Sequence, residues 1–244
     1  MPEDARPNQT GHESGIHRTS SQSSDQSPAT RSRIGRRAAC VERGAIVLRA
    51  EHEPVRDRFI EALASYDSPT ALHSSRVAQF SYRLAEAAGL PRHQVEELIL
   101  AGYLHDLGKI DIPVSILAKP GRLDADEWII VKRHPEIGAN LLAEAHPEMG
   151  DVAEAILAHH ERPDGLGYPR AVRGEAIPAG GRVLAIADVF DAITTPRVYR
   201  PGTADVAQAR QYLHSQRGKQ FDGDLVDIFL ALEGLPAPGP GGNS

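Results

Sequence analysis

From Pro54 to Leu232 apolar residues recur three and four positions apart between Gly- and Pro-bearing breaks, and no stretch alternates with period two. That pattern predicts helix after helix, an all-α domain. Pro54 to Ala64 reads as a short amphipathic helix. Ser68 followed by Pro69 is a cap and first-turn pair that opens a second helix to about Ala88, with Leu72, Val77, Phe80 and Leu84 on one stripe. Pro91 opens a third. Its Leu98, Ile99, Leu100, Ala101, Tyr103 and Leu104 are apolar nearly all the way round, as in a helix buried at the centre of a helical domain. A loop with Pro113, Pro120 and Gly121 leads to Asp124, expected to cap a helix that runs to about Ala145 with His134 in its middle. Helices from Asp151 to His160, Val183 to Ile193, Ala204 to Gln216 and Asp224 to Leu232 complete the series, with a Gly- and Pro-rich loop over 161–181.

The ends read differently. Residues 1–37 are rich in Ser, Thr, Gln, Asn, Gly and Arg, too poor in apolar surface to offset the entropy of ordering, and are expected to form a disordered tail. The segment 38–51 is a linker or a short element, 52–233 the folded domain, and 234–244 a flexible C-terminal tail. Charge follows the same division: residues 1–50 hold eight Arg against five acids, so the rest of a chain of net charge -6 is strongly acidic. An acidic globule is not built to coat a nucleic acid polymer, and an anionic substrate must be met by a local cluster or a metal. The single cysteine, Cys40, excludes an intramolecular disulfide and a Cys-based zinc site. No run approaches 18 apolar residues, and no apolar signal core opens the chain, so it is expected to be soluble, off the membrane and cytoplasmic.

The chemistry starts at His105 and Asp106, which arrive at the end of the buried third helix. Buried carboxylates are costly unless paired or metal-bound. Taken alone, the pair fits a hydrogen bond that locks a helix end at least as well. Gly108 is expected just past the helix C-terminus. His73 lies early in the second helix, His134 in the Asp124 helix, His159 and His160 close the next, and Asp188 sits among apolar neighbours in VLAIADVFDAI. Five helices thus each present His or Asp. Imidazole and carboxylate without thiolate select iron, manganese, zinc or similar ions, and seven ligands exceed one tetrahedral site. They suit two divalent transition-metal ions. Roughly 3.5–4 Å apart, such ions share a bridging carboxylate and lower the pKa of a bound water from 15.7 towards about 7. Asp106 is the candidate bridge, and Lys109 is placed to offer an ammonium to a phosphate oxygen.

The ordered series His73, His105–Asp106, His134, His159–His160 and Asp188 resembles the HD superfamily of metal-dependent phosphohydrolases. HHERPDGLGYP at 159–169 is similar to the signature of its HD-GYP subgroup, named for Gly167, Tyr168 and Pro169. HDLGKIDIP, ILAKPGRL, HPEIGANLL and ADVFDAITTPRVYR extend the likeness over nearly all of 67–230.

The resemblance implies an HD-superfamily helical bundle around a metal centre, and a bacterial cyclic di-GMP phosphodiesterase that yields linear pGpG or, further, GMP. It implies a two- or three-metal centre, iron or manganese before zinc, and substrate contacts from Lys109, Asp191, Arg197 and Arg200. Diguanylate cyclases binding at the GYP loop and a second copy of the chain are the protein partners it suggests. Two arginines can make forked bonds to phosphate or guanine, and Asp191 can accept from a guanine edge. Three positions depart from the family. Pro69 stands where the three-metal type has a Glu, Leu166 replaces a common Ser, and Gly223 follows Phe221–Asp222 where Pro is usual. No receiver, PAS or diguanylate cyclase segment reads in these residues. Hydrolysis of another nucleotide and a catalytically silent cyclic di-GMP receptor or partner-binding module are the alternatives; the GYP segment argues against the first and the complete ligand set against the second.

Overall fold

The computed structural model describes residues 50–66, 68–195 and 206–232. The expected tails at 1–37 and 234–244, all but the last two residues of 38–51, and Arg197 with Arg200 lie outside the described residues. In chain order the helices are α1 (Glu53–Tyr66), α2 (Ser68–Ala88), α3 (Arg92–Leu104), the short α4 (Val114–Leu117), α5 (Ala125–Val131), α6 (His134–Ala145), α7 (Gly150–Ala158), α8 (Ala179–Thr194), α9 (Val206–Ser215) and α10 (Gly223–Ala231). Short 3-10 turns stand at Leu107–Asp111, Pro147–Met149 and Gly174–Ala176. Among the described residues no strand forms, and no helix is long and apolar enough to cross a membrane.

As its all-round apolar face predicts, α3 is the central helix: Val95, Leu98, Ile99, Leu100, Ala101 and Leu104 are buried, and α2, α7 and α8 pack around it. Phe80 of α2, Phe190 of α8 and Phe229 of α10 meet edge-on, with ring centroids 5.0–6.2 Å apart. Each large side chain buried here contributes about 1.5–3 kcal/mol. The core is thus built on apolar contacts distinct from the polar residues at the end of α3.

Two expectations are corrected in the helices. Leu72 does not join the inward stripe of α2 and is 63% exposed. Val77, Phe80 and Leu84 continue backwards by four residues to position 73, so the inward place on α2 belongs to His73, which is buried. The helix expected from Asp124 to Ala145 is two helices, α5 and α6, because Pro135 has no N–H to give the carbonyl of Val131 and breaks the ladder. His134 is thus the first residue of α6 rather than the middle of a longer helix. Asp124 caps α5 as expected, in a reciprocal capping box with Glu127. Helix α8 starts at Ala179, ahead of the expected Val183, with Pro178 at its N-cap.

Gly108 acts differently from the helix-ending glycine expected. Its φ is not positive, and a Cβ there would lie 2.0 Å from the carbonyl oxygen of His134 and 2.6 Å from the nitrogen of Gly138. Only a bare backbone lets the turn after His105–Asp106 lie directly on the start of α6. That contact brings the third and sixth helices' ligand-type residues together.

Candidate metal centre

Four histidines are aimed by their Nδ1 atoms. His105 donates to the carbonyl of Gly102 (2.9 Å), His134 to that of Val131 (2.8 Å) and His159 to that of Ile156 (2.5 Å), each three residues upstream. All three carbonyls belong to the last turns of their helices, where carbonyls lack the regular i+4 partner. The Val131 carbonyl is the one that Pro135 leaves free, so the helix break itself orients His134. His73 instead donates Nδ1–H to Asp191 Oδ2 at 2.7 Å. With Nδ1 protonated and held, the Nε2 atoms of His105, His134 and His159 are lone-pair donors directed inward, and that of His73 becomes one when its second proton is lost.

The inward atoms form two groups, His73–His105–Asp106 and His134–His159–His160. Asp188 joins the first, its Oδ1 lying 3.1 Å from His73 Nε2 and 3.9 Å from His105 Nε2. Asp106 stands between the groups: Oδ2 is 3.5 Å from His105 Nε2 and 3.9 Å from His73 Nε2, while Oδ1 is 3.5 Å from His134 Nε2. All seven residues expected to ligate are therefore brought to one place.

Two features show what this place is suited to hold. His105 Nε2 is buried without a hydrogen-bond partner. The Nε2 atoms of His134 and His159 face each other at 3.3 Å while both Nδ1 protons point at carbonyls, so two lone pairs oppose one another. A cation between such atoms relieves both problems, and this His/Asp set suits a divalent ion.

Electrostatics divide the same way. Burial pulls His73 down, but hydrogen bonds to Asp188 and Asp191 and the charges of Asp188 and Asp106 raise it to about 9. Burial holds His134 near about 4 and His160 near about 3, and lowers His159 as well, aided by its neighbouring imidazoles. Asp106 stays well below the usual carboxylate range: burial opposes its ionisation, and Lys109 with the surrounding histidines outweighs burial. Lys109 lies on the 3-10 turn, three residues from Asp106, and its ammonium sits 2.6 Å from Oδ2.

The GYP loop closes one side. At Gly167 a Cβ would come within 2.5–2.6 Å of backbone atoms of 160–162, so glycine lets the loop lie flat on that segment. Tyr168 then donates its N–H to the His160 carbonyl (3.2 Å) and stacks its ring on the imidazole, centroids 4.7 Å apart. The Tyr168–Pro169 bond is cis.

The sequence family described as HD domain matches residues 58–225. This chain belongs to the HD domain family. It is 43% identical over 175 residues to the cyclic di-GMP phosphodiesterase response regulator RpfG of Xanthomonas campestris, covering 71% of this chain and 46% of that protein. It is 42% identical over 170 residues to 3'3'-cGAMP-specific phosphodiesterase 2 of Vibrio cholerae, covering 69% and 32%. A cyclic di-GMP phosphodiesterase of Thermotoga maritima is 40% identical over 177 residues, covering 72% and 48%. The chain thus spans 32–48% of the length of these relatives. Among solved structures, Bd1817 of Bdellovibrio bacteriovorus shares the fold, with TM-score 0.54 and 20% identity over 66% of this chain and 51% of that one.

Within this HD domain Asp191 departs from the expected guanine contact. It is 1% exposed, and its oxygens are taken by His73, by Arg76 through two bonds (2.5 and 3.0 Å) and by Thr195. Asp191 holds His73, and Arg76 holds Asp191. The sequence offered a signal for Arg76, since it follows His73 by three residues on one helix face. Glu161 was also missed: at 2% exposure it accepts the backbone N–H groups of Arg170 (2.7 Å) and Val172 (3.1 Å), tying down the far end of the GYP loop. Nothing in its sequence context separates it from a solvated loop acid.

Proposed function

We propose that this chain hydrolyses cyclic di-GMP, opening one phosphodiester to linear pGpG, at a centre that takes two divalent transition-metal ions, iron or manganese in preference to zinc. The observation that carries this reading is Asp106, whose two oxygens are turned to different ligand groups. His73, His105 and Asp188 would hold one ion with it, and His134, His159 and His160 the other. Bound there, the ions supply a water acidic enough to attack near neutral pH and positive charge for the leaving oxygen.

The chain's own groups do the rest. Lys109 is 28% exposed in its side chain and uses one N–H on Asp106, which leaves two donors for a phosphate oxygen. Arg197 and Arg200, in the segment expected to contact substrate, supply forked donors to phosphate or guanine. Tyr168, raised above its usual range by burial and by the charges of Asp188 and Asp106, keeps its proton and walls the centre from solvent. The GYP loop also presents Leu166, 73% exposed, to a protein partner such as a diguanylate cyclase.

Relatives named for 3'3'-cGAMP support a second substrate reading at the same centre. A chromatographic time course on metal-loaded protein tests both. Cyclic di-GMP is expected to give pGpG first, with GMP slow to follow because Pro69 removes the Glu that would help hold a third ion at the terminal phosphate. Chelation should stop the reaction. GMP from the first turnovers would contradict the two-ion reading, and turnover of 3'3'-cGAMP alone would select the second substrate. No turnover of either would leave a silent receptor.

A further inference from the structure

Rings run outward from the centre. His159 and His160 lie 4.0 Å apart between centroids, His160 and Tyr168 4.7 Å, and Tyr168 and Trp128 6.4 Å with Trp128 edge-on. Trp128 ends the series at the surface, 46% exposed. A second path leads to the same place. Trp128 lies one helical turn before Val131 on α5, and the Val131 carbonyl holds His134. The apolar cluster that seats α5, built on Ile112, Ile116 and Val131 with Leu117, Leu123, Ile130 and Ile137, does not include the indole. A large flat ring is thus left half-exposed against Tyr168, two rings out from the His159–His160 pair.

We infer that Trp128 is a stacking platform for a purine base of the cyclic dinucleotide, holding one base while the adjoining phosphodiester reaches the centre. This rests on the reading of the centre given above. Every base has a π-face, so an indole stack adds affinity while tolerating guanine and adenine alike. The platform is therefore a contact shared by cyclic di-GMP and 3'3'-cGAMP, and discrimination between them falls to other groups.

Trp128 is the chain's one tryptophan, so its fluorescence reports on the site directly. Stopped-flow mixing of the metal-loaded 244-residue chain with cyclic di-GMP, and separately with 3'3'-cGAMP, should quench the emission within the binding phase; inorganic phosphate should not. Steady-state kinetics supply the second readout. Trp128→Ala should raise KM about tenfold, within the range for loss of one base–aromatic stack, and Trp128→Phe should restore most of that loss. The effect should fall on KM rather than kcat, with metal content and helical circular dichroism at the parental level. Absence of quenching by both dinucleotides overturns the stack whether or not hydrolysis occurs. So does an unaltered KM in Trp128→Ala, or a loss confined to metal content, which marks a packing role. Quenching without hydrolysis would keep the stack and overturn the enzymatic reading instead.

Discussion

On one side of Asp106, His73 and His105 share their space with a second carboxylate, Asp188; on the other, His134, His159 and His160 form a group of imidazoles with no carboxylate of its own. The first side is anionic enough to hold His73 protonated up to about 9, while the second keeps His134 and His160 neutral down to about 4 and about 3. A cation entering the first side must displace a proton; one entering the second meets bare lone pairs. The difference teaches how the centre is tied together. The imidazole side borrows its anionic charge, from the far oxygen of Asp106 beside His134 and from Asp188 acting on His159 and His160, so the two sides are tied through shared carboxylates, of which Asp106 lies between them.

The change that should break both sides together is Asp106→Ala. Metal content should fall at both positions and turnover should be lost, a larger effect than the roughly 10–100-fold that loss of an outer partner causes. Circular dichroism should stay helical, because the core around α3 and the Phe80–Phe190–Phe229 contact lie outside the centre. An active Asp106→Ala protein would remove the bridge from the account.

A one-sided change sharpens the comparison. Asp191→Ala frees His73 to turn and leaves Arg76 without its carboxylate, and neither residue touches His134, His159 or His160. Affinity for the first ion should drop by about 10–100-fold while the second is retained. Chelator competition followed site by site would show this, and equal losses on both sides would contradict it.

A smaller, graded effect comes from pH. Between pH 7 and 8 His73 is protonated before loading, whereas the imidazole side has already lost its protons. Affinity on the first side should therefore rise about tenfold per pH unit, as one proton is released per ion, and level off above about 9. The imidazole side should stay flat over the same interval. Titration calorimetry in buffers of different ionisation enthalpy reads the released proton.

Much of this was legible in the sequence. The all-round apolar face of α3 marked the central helix, and His or Asp at inward positions of amphipathic helices marked the centre, because burial makes such residues costly without a partner. The rest required three dimensions. Pro135 was visible, yet its use in freeing a carbonyl for His134 depends on where α5 ends. Gly108 reads as a helix stop, but the close approach it permits is to Gly138, thirty residues away. Asp191 and Asp188 are two acids three residues apart on α8, and only the position of His73 and Arg76 tells which one lies behind the imidazole and which beside it.

The central claim is that Asp106 joins two ions, and anomalous difference scattering from crystals of the manganese- or iron-loaded chain tests it most directly. Two peaks should appear, one among His73, His105 and Asp188 and one among His134, His159 and His160, with the Asp106 carboxylate between them. A single peak, no peak beside Asp106, or a third site at full occupancy would contradict the account.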